Sequence, residues 1–125
     1  MKDKQGALSS TGDSMARLQQ EDPDISFILQ LHHQRKDQPR PEEMISHSEV
    51  AKILWSQWHS LVIVNGVLYR RIQQKHGKLP LLQLVVPVST RTEFTRRCHE
   101  GMTGGHRAVQ PTLDQVRRRG YWVSW

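Results

Sequence analysis

A chain of 125 residues with 36% apolar side chains holds at most one ordinary domain, or a small domain with a tail, and excludes a large single core. The single cysteine, Cys98, excludes an intrachain disulfide, and no apolar run approaches the roughly 20 residues that cross a bilayer; an intracellular chain with no membrane partner is expected. The net charge of +6 is uneven: residues 1–60 carry seven Lys/Arg against nine Asp/Glu, a balance of minus two, whereas residues 61–125 carry eleven against three, a balance of plus eight.

A local excess of that size favours a polyanion partner, with nucleic acid the expected class, and leaves the compartment inside the cell open, the nucleus among the alternatives. The alternative is a fragment whose acidic complement lies in sequence outside it. No pattern suggests a small-molecule substrate.

Residues 1–13 hold only Met1, Ala7 and Leu8 as apolar residues among glycines, serines and charges, too little to offset the entropy of ordering them. They are expected to form a disordered tail. Met15 and Leu18 open a weak helical pattern that stops at Asp22-Pro23. Asp22 then reads as an N-cap with Pro23 in the first helical position, and Ile25, Ile28 and Leu29 at helical spacing predict a helix over residues 23–35. Pro39 and Pro41 break it.

Ser46 and Glu49 have the spacing of a capping box ahead of a helix over residues 47–59, with Val50, Ile53, Leu54, Trp58 and Leu61 as its apolar stripe. Residues 14–60 thus read as a helical connector. Trp55 and Trp58 read as core or interface packing. His32, His33, His47 and His59 read as solvated helix residues.

Asn65-Gly66 between β-branched and aromatic flanks is the clearest local signal. It supplies the two positive-φ positions of a type I′ turn, so a hairpin closes there. A third strand over residues 82–86 pairs with residues 67–72 and ends at Pro87. The resulting fold class is α+β and mostly helical, with a small three-stranded antiparallel patch packed against short helices; such a patch cannot stand alone.

Thr90 and Glu93 read as a second cap, opening a helix that carries Phe94 and Cys98 and ends near His99 and Gly101. Val109, Leu113 and Val116 mark a last helix over residues 107–119, with Pro111 awkward in its first turn. Arg117, Arg118 and Arg119 end it, where they either complement the helix dipole or meet phosphate. Arg70, Arg71 and Arg107 complete the basic set read as candidate DNA contacts.

His99 and His106 are separated by six residues, three of them glycine. They converge only if the chain turns back through those glycines, and otherwise they flank a flexible connector. Two histidines are half of a tetrahedral zinc site.

Laid end to end, Leu68-Tyr-Arg-Arg71, Leu84-Val-Val-Pro87, His99, Gly104-Gly-His106, Thr112, Leu113 and Tyr121-Trp122 resemble the N-terminal zinc-binding domain of integrases from gypsy-type long-terminal-repeat retrotransposons. Residues 22–62 resemble the connector that precedes it in such polyproteins. The resemblance implies an integrase zinc-binding-like domain over residues 61–125, with His99 and His106 as ligands to Zn2+. The family's pattern is His-His-Cys-Cys, with its C-x-x-C some residues after the Tyr-Trp pair. The sequence reaches Trp125 before such a pair, so an incomplete site that holds zinc weakly is expected.

No clustered acids of the kind two-metal phosphodiester chemistry needs are found in residues 61–125, whose acids are Glu93, Glu100 and Asp114. A non-enzymatic module for DNA binding or integrase multimerisation is therefore expected. A protein-interaction module using Trp55, Trp58, Trp122 and Trp125, or a non-functional gene fragment, are the alternatives.

Overall fold

The computed structural model describes residues 10–35, 37–100 and 118–123, with side chains from Ser14 onward. Helix α1 spans Ser10–Glu21 and α2 spans Pro23–Gln34, so helical backbone begins inside the stretch expected as a tail. Asp22 separates the two helices. Its Oδ1 accepts from the backbone N–H groups of Asp24 (3.1 Å) and Ile25 (3.2 Å), the N-cap expected of an Asp-Pro pair. A 3-10 turn, Pro41–Met44, leads to α3, Glu49–Ser56, and a second turn, Trp58–Ser60.

The cap of α3 is Ser48 rather than Ser46. The Ser48 hydroxyl accepts from Ala51 N–H at 3.1 Å and donates to Asp24 Oδ1, which ties the start of α3 to the first turn of α2. The buried stripe is correspondingly Ala51 and Leu54, and Ile53 faces outward. Trp55 is half-buried and donates its indole N–H to Pro39 O at 2.7 Å, which pins the proline segment.

Strand β1, Leu61–Val64, and β2, Val67–Ile72, form the expected hairpin, with Asn65 at φ 51° and Gly66 at φ 81°. Strand β3, Leu81–Val85, pairs antiparallel with β2 from Tyr69↔Leu84 to Ile72↔Leu81. The three-stranded antiparallel patch is corrected by a further strand: β4, Gly120–Tyr121, adds parallel to β3, giving a four-stranded mixed sheet in the order β1-β2-β3-β4. Two residues, one of them glycine, carry no period-2 pattern, and a parallel pairing needs a long crossover that spacing does not reveal. That crossover contains the 3-10 turn Val88–Thr90 and α4, Arg91–Glu100.

Glycine is required at 120 by proximity. A Cβ there would lie 2.5 Å from Phe94 Cε2, 2.7 Å from its Cζ and 3.0 Å from Val86 Cγ2. Gly120→Ala is expected to destabilise the fold by about 1–3 kcal/mol through overpacking, with partial recovery in a Gly120→Ala, Phe94→Leu double variant. Chemical denaturation of the two variants checks it.

The core is shared by both halves of the chain. Ile25, Ile28 and Leu54 from the helices pack with Leu61, Leu68, Val85 and Tyr121 from the sheet. Trp58 is 2% exposed and stacks on the His32 ring at 3.8 Å, while Phe27 stacks on His47 at 4.0 Å. His32 and His47 are therefore packing residues, not solvated ones, and burial pushes the His32 imidazole down from its ordinary value. Trp58 is spent inside the protomer and is not part of an outer apolar surface.

A buried glutamine joins the halves. The register of the hairpin explains why it is needed. A two-residue turn makes Val64 and Val67 a hydrogen-bonded pair, so at the next pair, Ile63 and Leu68, backbone polar groups point away from each other. On the Leu68 side they point toward β3, but the β2–β3 ladder ends at Tyr69↔Leu84. The Gln19 carboxamide, 0% exposed, fills the gap: its Oε1 accepts from Leu68 N–H at 2.7 Å, and its Nε2 donates to Leu68 O at 3.1 Å and Val85 O at 2.8 Å. Three residues on, Asp22 Oδ2 accepts from Val88 N–H at 3.1 Å. The α1–α2 corner is thereby fastened to the end of β3.

Candidate zinc and nucleic-acid site

Helix α4 carries the first candidate ligand. It is a polar helix held by its own charges: Glu93 pairs with Arg96 and Arg97, and Arg96 pairs with Glu100. These pairs are exposed and contribute little each. The Thr90 hydroxyl donates back to Pro87 O at 3.3 Å, so with the Glu93 carboxylate held by arginines the expected Thr90–Glu93 box is not the arrangement found. His99 lies exposed in the last turn of α4.

Cys98, its neighbour, is 3% exposed. It faces a groove of about 470 Å³ lined also by Met15, Leu18, Leu84, Phe94 and Arg119. Burial pushes the Cys98 thiol up, against the thiolate that zinc ligation requires. Cys98 inside and His99 outside do not converge on one ion. His106 lies outside the described residues, as do Arg107 and Arg117. Among the described residues no three His, Cys, Asp or Glu side chains come together in a way that could hold a metal. The described donors alone thus do not make a zinc site.

The basic residues divide. Arg71, Arg118 and Arg119 are exposed. Arg70 is half-buried and has internal partners: Nε donates to Gln83 Oε1 at 2.9 Å, Nη1 donates to Gln57 Oε1 at 2.7 Å, and Cζ lies 3.7 Å from the Tyr121 ring centroid. Gln57 in turn donates to the Tyr121 hydroxyl at 2.6 Å. Burial pushes the Arg70 guanidinium down from its ordinary value. One cation therefore holds α3's end, β2, β3 and β4 together through a stacked ring and two amides. Alternation along β2 explains the split, because Arg70 and Arg71 emerge on opposite faces of the sheet. Trp122, beside Tyr121, lies 5.4 Å under the Arg91 guanidinium.

Residues 86–125 match the family model described as the integrase zinc binding domain. The likeness to an integrase zinc-binding domain is therefore shown over that stretch, and the match does not distinguish the gypsy type. It begins just after β3 and includes α4, β4, His99 and His106. Helices α1–α3 and strands β1–β3 precede it. No curated protein and no solved structure matches the chain.

Sequence reasoning missed Gln19 and Gln57. A glutamine on a weak amphipathic helix carries no signal that its amide completes a sheet ladder 49 residues away. No helix among the described residues is long and apolar enough to cross a membrane.

Proposed function

We propose that the chain is a non-catalytic module of the kind found at the N-terminus of gypsy-type retrotransposon integrases, and that it binds DNA through its basic second half. The match of residues 86–125 to the integrase zinc binding domain carries this reading. The balance of plus eight over residues 61–125 supports it. His99 and His106 are the zinc ligands in this proposal, and Arg71, Arg107, Arg117, Arg118 and Arg119 are the phosphate contacts. Arg70 instead positions β4. The helical connector, residues 14–60, supports the sheet from which Arg71 projects.

Five phosphate contacts on a duplex release counterions as they form, so log affinity should fall against log salt with a slope of roughly −4 to −5. Arg118→Ala with Arg119→Ala should flatten the slope by about 2. Titration of a labelled duplex by fluorescence anisotropy at several salt concentrations measures both. A slope near zero rules the DNA reading out.

A further inference from the structure

Residues 50–92 carry six Lys/Arg and no Asp or Glu. Four of the six, Arg70, Arg71, Lys75 and Lys78, fall within nine residues at the closed end of the β2–β3 hairpin. That end precedes the segment matching the integrase zinc binding domain.

The sheet makes it a projecting arm. Strand β1 pairs with β2 only as far as Arg70, and β4 pairs with β3 only at Leu84 and Val85, so from Arg71 and Leu82 outward the sheet is two strands wide. Past the last pair, Ile72↔Leu81, the arm closes on a β-turn. Lys78 N–H donates to Lys75 O at 3.0 Å, and Gly77, at φ 89°, takes the positive φ that the third position of a type II turn requires. The Gln74 side-chain amide donates to Leu79 O and braces the loop from within. Lys75 and Lys78 are therefore the two ends of one turn, with Cα atoms within about 7 Å, and both are exposed.

The cations of the arm are also uncompensated. Arg35, Arg40, Arg96 and Arg97 pair with glutamates, and Arg70 is committed to Gln57 and Gln83. Among the described residues no carboxylate lies within ion-pair distance of Arg71, Lys75 or Lys78. Like charges held together on a braced projection sum to a local potential that a polyanion neutralises. Shape then selects among polyanions: a B-form major groove, about 12 Å wide, admits a two-stranded ribbon, whereas an unpaired strand offers no groove.

We propose that the β2–β3 arm is a DNA-contact element in its own right, laid at the major groove of a duplex with Lys75 and Lys78 on neighbouring phosphates. The inference rests on the DNA reading given above and adds two contacts to the five counted there. Its residues lie outside the matched segment, so this contact needs no zinc.

Seven contacts steepen the salt slope of the full chain to roughly −6, and Lys75→Ala with Lys78→Ala should return it to roughly −4 to −5. Lys75→Arg with Lys78→Arg should keep the steep slope. Arg35→Ala with Arg40→Ala removes the same formal charge from glutamate-paired residues and should leave the slope unchanged. The turn is closed by backbone atoms, so the alanine variant should melt at the wild-type temperature. Amine acylation of the wild-type chain, read by mass spectrometry, gives a measure free of any variant. A saturating duplex should protect Lys75 and Lys78 several-fold relative to Lys52, with or without a zinc chelator, and unpaired polythymidine of the same length should protect them less. A wild-type slope of −4 to −5 that the alanine pair does not change, or lysine reactivity unaltered by duplex, overturns the arm and leaves the DNA reading standing. Equal protection by polythymidine also overturns it. A wild-type slope near zero removes both.

Discussion

Gln19→Leu is expected to destabilise the protein by about 4 kcal/mol, because each buried backbone group left without a partner costs about 1–3 kcal/mol and three lose theirs at once. Leucine keeps the volume and the helical propensity, so the loss reports the hydrogen bonds. Against a total stability of about 5–15 kcal/mol for a domain, such a change brings the chain close to half-unfolded at moderate temperature. Gln19→Glu should do at least as badly. It retains an acceptor for Leu68 N–H but turns a carboxylate toward the carbonyls of Leu68 and Val85. Urea denaturation gives the free energies, and amide exchange at Leu68 reads the local loss. Equal stability of Gln19→Leu and wild type would show that the carboxamide is not what joins the strands.

Removal of residues 1–60 is expected to abolish cooperative unfolding of the remainder. The matched stretch, residues 86–125, contains only one short strand among the described elements, and that strand depends on β3. A chain beginning at Leu61 would keep the hairpin and β3, yet lose Ile25, Ile28 and Leu54 from the face of Leu61, Leu68 and Val85. It would also lose the Gln19 and Asp22 bonds to the sheet and retain a balance of plus eight. A three-stranded sheet without a covering layer does not stand in water. Circular dichroism melts of residues 61–125 and of the full chain test this: a steep transition in the shorter chain would mean that the helices are an accessory and not part of the folding unit.

These two results bear on how function is distributed. If the helices complete the core, then the residues proposed for DNA and zinc are presented by a scaffold that extends well ahead of the matched family segment. Arg70 illustrates the dependence. It sits among the basic residues in sequence, but its guanidinium is committed to Gln57 from the helical part and to Tyr121 from the Tyr-Trp pair. Its removal should therefore affect stability more than the salt slope.

Much of the local structure was legible before folding was considered. Asn65-Gly66 specified its turn because only positive φ closes a two-residue hairpin without splaying the strands. Asp22-Pro23 specified a helix start through the carboxylate acceptor and the fixed proline φ. The helix that carries His99 in its last turn was legible from Phe94, Cys98 and the stop expected near Gly101, and the family resemblance was legible from motifs that include His99, His106 and Tyr121-Trp122. The cap of α3 was misassigned by two residues, since Ser46 and Ser48 are equivalent candidates locally and the contact to Asp24 decides between them.

By itself, then, the sequence determined the turns, the helix starts, the uneven charge and the likeness to an integrase zinc binding domain, because each rests on residues close together or on composition. Only the tertiary structure decided that β4 joins β3, that Gln19 and Asp22 fasten the helices to the sheet, that Arg70 faces inward while Arg71 faces out, and that Cys98 is buried beside an exposed His99. Each of those depends on which polar group finds a partner across tens of residues, and a backbone group left unpaired by one strand has no signature in the residue that will satisfy it.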